Sequence, residues 1–274
     1  GLQTLQAMTI TYVTVTYNAA AVLQRTLDSI LSQDYPFITH LIIDGASTDG
    51  TLQMVDDYIR RSNEAGNGHR VQVMSEPDHG IYDAMNKGIR SLDGDYVCFL
   101  NAGDSLPATD SASRIAAAVC PFSHRSHNGD SPLCDKPAVL YGDTDIVDGE
   151  GRFLHHRRLA PPEHLTWKSF RHGMLVCHQA FYARTDFAIA TLYDLRYRYS
   201  ADVDWCIRIM KAAAKERVPL LNLHMVVANY TEEGQTTLHH RESLKERYQV
   251  MSRHYGPVST FLMHCWFVVR SVFK

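Results

Sequence analysis

The chain has no long uncharged apolar run, no closely spaced cysteine pair and no marked excess of either charge. No stretch reaches the ~18 apolar residues that a membrane-crossing helix needs, so a spanning protein is not expected. The six cysteines are Cys98, Cys120, Cys134, Cys177, Cys206 and Cys265, and none form a C-x-x-C pair. That argues against a zinc ribbon. Scattered singly, they read as reduced, cytosolic core residues, with a disulfide framework as the weaker alternative. A net charge of -3 and a pI near 6.6 give no reason to expect nucleic acid, whose phosphates call for a basic patch. Residues 1–8 lack the basic and apolar regions of a secretory leader and read as a loose arm or a cloning remnant. No G-x-G-x-x-G follows an apolar run, which removes a dinucleotide-binding dehydrogenase.

What is present is an ordinary globular composition, 45% hydrophobic and 21% charged, in 274 residues. That length allows one large domain or two small ones and a core that needs no staples. The first hundred residues alternate two periods. Ile10 to Tyr17 is β-branched and aromatic and predicts a strand, with Asn18 placed to cap the next helix. Leu23, Leu27, Ile30 and Leu31 follow at helical spacing. Leu41 to Ile43, Val71 to Met74 and Tyr96 to Leu100 predict further strands. Helices carrying Leu52, Val55, Tyr58 and Ile59, and then Ile81, Met85, Ile89 and Leu92, lie between them. Such alternation implies βαβ units around a parallel sheet, with ligands beyond the carboxyl ends of the strands. Those ends carry Asn18, Asp44, Asp78 and the turn Asn101-Ala102-Gly103-Asp104. Further on, a strand is expected at Val139 to Tyr141, ending at Gly142-Asp143. Others are expected over Arg152 to Arg158 and Leu220 to Val227, with helices over Asp110 to Val119, Asp202 to Lys215 and Arg241 to His254. Pro121 to Pro137 reads as a polar loop.

Four constellations carry chemistry, each with a plainer alternative. Asp44 to Thr51 can hold a base or ribose at a strand end, or is simply a capped turn. In the run Glu76 to Gly88, Asp78 can accept from a sugar hydroxyl and Asn86 and Lys87 can face the same cleft. Asp83 and Lys87 also suit a plain i,i+4 ion pair. Asp104, at a strand end, is a candidate ligand for a divalent cation, or a local turn cap. Asp202 and Asp204 open a helix, where acids suit the dipole; alternatively one of them is a general base.

In order along the chain, Thr14-Val15-Thr16-Tyr17-Asn18, Ile43-Asp44-Gly45-Ala46-Ser47-Thr48-Asp49-Gly50-Thr51 and Asp95 to Asp104 resemble family 2 glycosyltransferases. The stretch Asp78 to Gly88 is similar to the subgroup of colanic-acid and other exopolysaccharide glycosyltransferases. Tyr141-Gly142-Asp143, Cys177 to Phe181 and Ala201-Asp202-Val203-Asp204-Trp205 fit as well. The resemblance implies an α/β GT-A fold: a Rossmann-like, mostly parallel central sheet flanked by helices, with a helical C-terminal extension. It implies an inverting transfer from a nucleotide-diphospho-sugar, a UDP-sugar favoured, assisted by Mn²⁺ or Mg²⁺, to a glycan or lipid-linked glycan. Asp44 then matches the base-binding position, with Thr16, Asn18, Asp78, Asn86, Lys87 and Asn101 on the donor side. Asp104 matches the last acid of the metal motif and Asp202 the general base. Two departures stand out. The metal motif keeps one carboxylate, and the residue before the base is Ala201 rather than Glu, so Asp204 competes for the base role. A non-catalytic sugar-nucleotide- or glycan-binding subunit is therefore a second reading, and a nucleotidyltransferase a third. His239 and His240 can contact metal or pyrophosphate, or are surface residues.

The resemblance accounts for residues 9–237 and leaves 238–274 as an extension. Val258, Phe261, Leu262, Cys265, Trp266, Val269, Val272 and Phe273 share one helical face there. That face predicts an interfacial helix on the inner surface of the plasma membrane, or one packed on the domain or in a homodimer. The expected location is cytoplasmic.

Overall fold

A computed structural model describes residues 7–120, 136–232 and 240–272. Strands β1 (Ile10–Thr16) and β2 (Ile38–Asp44) are buried along their whole length, as strands of a parallel sheet covered on both faces are. Helix α1 (Leu23–Leu31) joins them and buries Leu23, Leu27 and Ile30, one apolar stripe of a 3.6-residue period. Then come α2 (Thr51–Ala65), β3 (Arg70–Ser75), α3 (Ile81–Arg90) and β4 (Tyr96–Phe99). These four strands pair in the order β3-β2-β1-β4, all parallel. The sheet thus grows from β1 first to one side and then to the other. The loops leaving β1 and β4 diverge, and a ligand crevice opens at such a switch point.

The second half makes the sheet mixed. After α4 (Ser111–Val119) come β5 (Val139–Val147), β6 (Phe153–His156), β7 (Phe181–Arg184), α5 (Thr185–Ile189), α6 (Ala201–Glu216) and β8 (Leu220–Thr231). β7 pairs antiparallel with β4, β5 antiparallel with β7 and β6, and β8 parallel with β5. β5 does not stop at Gly142-Asp143 as expected. The register shifts there, and a Cβ on Gly142 would lie 2.5 Å from the Met225 carbonyl oxygen. Glycine admits that close approach, so the strand kinks and continues. β8 likewise runs past Val227 to Thr231, while β6 is shorter than expected. Most of the Pro121 to Pro137 loop lies outside the described residues.

One core holds Tyr12, Phe99, Tyr141, Phe181, Tyr182 and Trp205, and a smaller cluster of Leu23, Leu27, Ile42, Val55 and Tyr58 forms separately. Helix α7 (His240–Tyr255) adds Val250, Met251 and Tyr255 to the main core. Helix α8 (Pro257–Val272) instead leaves Val258, Phe261, Leu262 and Trp266 each more than half exposed. Cys98, Cys177 and Cys206 are buried thiols, but Cys120 and Cys265 are exposed rather than in the core, and Cys134 lies outside the described residues.

Candidate active site

Asp44 ends β2 below the surface, enclosed by four donors. Its Oδ1 accepts from Thr16 Oγ1 at 2.9 Å and Ser47 Oγ at 2.5 Å. Its Oδ2 accepts from the Ser47 N–H at 2.9 Å and Ser75 Oγ at 2.8 Å. Burial pushes the Asp44 carboxyl up, but these bonds outweigh it and hold the group below the usual carboxylate range. Asn18 does not cap α1, which begins only at Leu23 and has no side-chain cap. It turns left-handed at φ 47°, and its Oδ1 accepts from the Thr48 and Asp49 N–H groups at 2.8 and 3.3 Å. Ser47 Oγ accepts in turn from the Asn18 N–H. The loops after β1 and β2 are therefore stitched together. Asp78 stands against them because Gly45 has no side chain: a Cβ there would lie 2.5 Å from Asp78 Oδ2. Thr16, Asn18, Asp44 and Asp78 thus meet at one edge.

Asn86 and Lys87 serve that edge from behind. The buried Asn86 amide donates to the Tyr193 carbonyl at 3.0 Å and accepts from the Tyr193 N–H at 2.7 Å. Lys87 Nζ pairs with Glu76 at 2.9 Å and donates to the Pro77 carbonyl at 2.7 Å, holding the segment that leads into Asp78.

The turn after β4 is anchored by Asp104. Its Oδ1 accepts from the Thr231 N–H at 3.0 Å and its Oδ2 from Gln179 Nε2 at 2.6 Å, which ties the turn to the end of β8 and to the short 3₁₀ turn His178–Ala180. Beside it, Asn101 Oδ1 is buried with no hydrogen-bond partner. No group of three or more His, Cys, Asp or Glu able to hold a metal is found among the described residues. Mg²⁺-type sites that lean on substrate phosphates need only one or two protein oxygens. The orphaned Asn101 carbonyl and the Asp104 carboxylate, three residues apart in one turn, fit that kind of site and not an all-protein cage.

Asp202 and Asp204 lie in the first turn of α6 and face opposite ways. Asp202 is half-buried, and its Oδ1 accepts from the Tyr82 hydroxyl at 3.2 Å and the Val203 N–H at 2.9 Å. Tyr82 sits in the first turn of α3, directly after the Asp78 segment. It stacks on Tyr193, which stacks on Trp205. Asp204 is wholly buried. Arg208 Nε donates to its Oδ2 at 2.6 Å, and His254 Nε2 lies 2.7 Å from its Oδ1. Burial pushes the Asp204 carboxyl up, yet the His254 hydrogen bond and the Arg208 charge hold it below its ordinary value. One more carboxylate completes the arrangement. Glu246 of α7 accepts from the N–H groups of Arg198, Tyr199 and Ser200, just ahead of α6. His239 lies outside the described residues, and His240 opens α7.

Sequence reasoning assigned no role to Tyr82, Gln179, Tyr193, Glu246 or His254. Tyr82 and Gln179 sat inside motifs already singled out. Glu246 and His254 lie in a charged helix where nothing in the local spacing marks them.

A parallel-strand edge lined by acids, faced by an acid at the start of a later helix, is the layout of the GT-A fold. Solved structures agree. The complex of S. aureus TarS 1-349 with UDP-GlcNAc matches with a TM-score of 0.64 at 16% identity, over 89% of this chain and 65% of that one. Mannosyltransferase PcManGT from Pyrobaculum calidifontis, in complex with GDP-Man and Mn2+, matches with a TM-score of 0.56 at 19% identity, over 92% of this chain and 64% of that one. The sequence profile of Glycosyl transferase family 2 matches residues 11–120. A PGL/p-HBAD biosynthesis glycosyltransferase of Mycobacterium bovis is 34% identical over 233 residues, 84% of this chain and 80% of the relative. The amylovoran biosynthesis glycosyltransferase AmsB of Erwinia amylovora is 28% identical over 77% of this chain and 67% of its own. The chain belongs to glycosyltransferase family 2.

Proposed function

We propose that this glycosyltransferase moves a sugar, with inversion, from a nucleoside-diphosphate sugar to a hydroxyl of a glycan or lipid-linked glycan in polysaccharide biosynthesis, with Asp202 as general base. The carrying observation is the contrast between the two acids of α6. Asp202 is reached by solvent and tied through Tyr82 to the Asp78 side, whereas Asp204 is enclosed by Arg208 and His254. A general base must reach the proton it takes.

In this reading Asp44 orders the base-side loops with Thr16 and Asn18, and Asp78 accepts from the base or ribose. Asn101 and Asp104 would hold Mn²⁺ or Mg²⁺, which when bound supplies positive charge against the leaving diphosphate. Asp202 takes the acceptor's proton as its oxygen attacks the anomeric carbon from the face opposite the diphosphate. Tyr82 fixes the carboxylate's direction. The donor class is supported by the UDP-GlcNAc and GDP-Man bound to proteins of the same fold, and a UDP-sugar is favoured. A biosynthetic role is supported by the names of the mycobacterial PGL/p-HBAD biosynthesis and Erwinia amylovoran biosynthesis glycosyltransferases. A cytoplasmic place of action fits the buried thiols of Cys98, Cys177 and Cys206.

The test is transfer and binding against a panel of UDP-, GDP- and dTDP-sugars with Mn²⁺ or Mg²⁺. Turnover that Asp202→Asn abolishes supports the reading. Absence of donor binding with either metal overturns it, and binding without turnover in the wild type assigns a binding subunit instead.

A further inference from the structure

We propose that α8 is a docking helix that lies on an anionic lipid surface. Its two sides differ. Thr260 is buried, and His264 packs on Tyr248. The opposite side presents Val258, Phe261, Leu262, Trp266 and Val269 to solvent, 44% to 72% exposed. Large apolar groups gathered on one exposed helix face mark an interaction surface.

Charge and size select the occupant. From Gly256 to Lys274 the sequence has no acidic residue and two basic ones, Arg270 and Lys274. At the start of the helix, Arg171 and His172 line a cavity with Val258, Leu262 and Met263. An apolar stripe beside a basic rim complements anionic headgroups over acyl chains. The helix has 16 residues, about 24 Å of length. No helix among the described residues is long and apolar enough to cross a membrane. A strip about 24 Å by 10 Å also falls well below the roughly 800 Å² per partner of a stable dimer. The lipid surface is the occupant that meets all three conditions.

The docking helix is not remote from the site. α8 follows α7 after Gly256, and α7 holds Asp204 through His254 and the start of α6 through Glu246. Docking would therefore fix the Asp202 side of the cleft relative to the membrane. The docking itself stands whether or not the transfer reaction is as proposed.

The test is co-sedimentation of the full chain with phosphatidylcholine vesicles, with and without phosphatidylglycerol, for wild type and Phe261→Asp/Trp266→Asp. Both substituted residues are exposed, so an unchanged melting temperature verifies the fold. The expected result is that wild type pellets with the anionic vesicles and the variant binds at least tenfold more weakly. Equal binding to both vesicle types overturns the anionic part. Wild type that pellets with neither vesicle overturns the proposal. So does a wild-type dimer, seen by light scattering, that the same substitutions dissociate, because the face then belongs to a second copy.

Discussion

His254 of α7 lies 2.7 Å from the Asp204 carboxylate of α6, and the pair is closed off from solvent with Arg208 on the second oxygen. Removing one partner from such a group leaves the others buried and uncompensated, a loss of about 3–5 kcal/mol. Asp204→Ala should therefore lower the melting temperature sharply. Asp202→Asn should leave it unchanged and lower transfer by roughly 10²–10⁴-fold, the usual contribution of a general base. Thermal melts and steady-state rates on the two variants separate the roles. A stable Asp204→Ala protein without activity would reassign the base.

Tyr82 offers a finer test of the same site. Its hydroxyl donates to Asp202 Oδ1 at 3.2 Å, and its ring is already held by stacking on Tyr193. Tyr82→Phe removes one hydrogen bond, worth about 1 kcal/mol, and leaves the stack in place. The expected outcome is a kcat about fivefold lower with the donor KM unchanged. A raised donor KM with normal kcat would place Tyr82 on the nucleotide instead.

The first sheet half was legible because its strands and helices keep clean periods, so the ends bearing Asp44, Asp78 and Asn101 could be placed from spacing alone. The second half was not. β7 has four residues and finds its partner β4 more than eighty positions earlier, a pairing no local pattern announces. Gly142 reads as a turn in sequence, yet it is the point where β5 passes close to β8. The two acids of α6 are an instructive middle case. Residues two apart on a helix face opposite ways, so the spacing says that one turns inward. Which one depends on His254, fifty residues downstream.

Acid should destabilise the fold in two stages. His40 is fully buried between Thr14 Oγ1 and the Tyr58 hydroxyl. Burial, aided by the charge of His69, lowers its pKa to about 3. A histidine whose folded pKa lies below the unfolded value of about 6.5 stabilises fully above that value and loses the contribution as pH falls toward 3. Asp44 and Asp204, both held below the ordinary carboxylate range, lose theirs below about pH 4. Melting temperature should be level above about pH 7, decline from about 6.5, and fall more steeply below 4. His40→Gln, which keeps polar atoms for Thr14 and Tyr58, should make the first stage shallower and leave the second unchanged; His178 and His69, also held low by burial, carry the rest of the first stage. A wild-type profile already flat from pH 7 to 4.5 would contradict the neutral, buried His40.

Asn101 Oδ1 has no partner although it is buried, and a buried acceptor left bare costs free energy that a ligand can recover. If that ligand is a divalent cation carried on the donor's diphosphate, Asn101→Ala and chelation should act on the same quantity. Titration calorimetry with UDP should show affinity raised by Mn²⁺ in the wild type, with EDTA removing the gain. In Asn101→Ala the Mn²⁺ gain should shrink about tenfold, while UDP affinity in EDTA matches wild type. Asp104→Asn should behave differently. Its oxygens brace Thr231 and Gln179, so it should lose stability in melts run without any nucleotide. An Asn101→Ala protein whose Mn²⁺ gain equals that of the wild type would remove Asn101 from the cation's ligands.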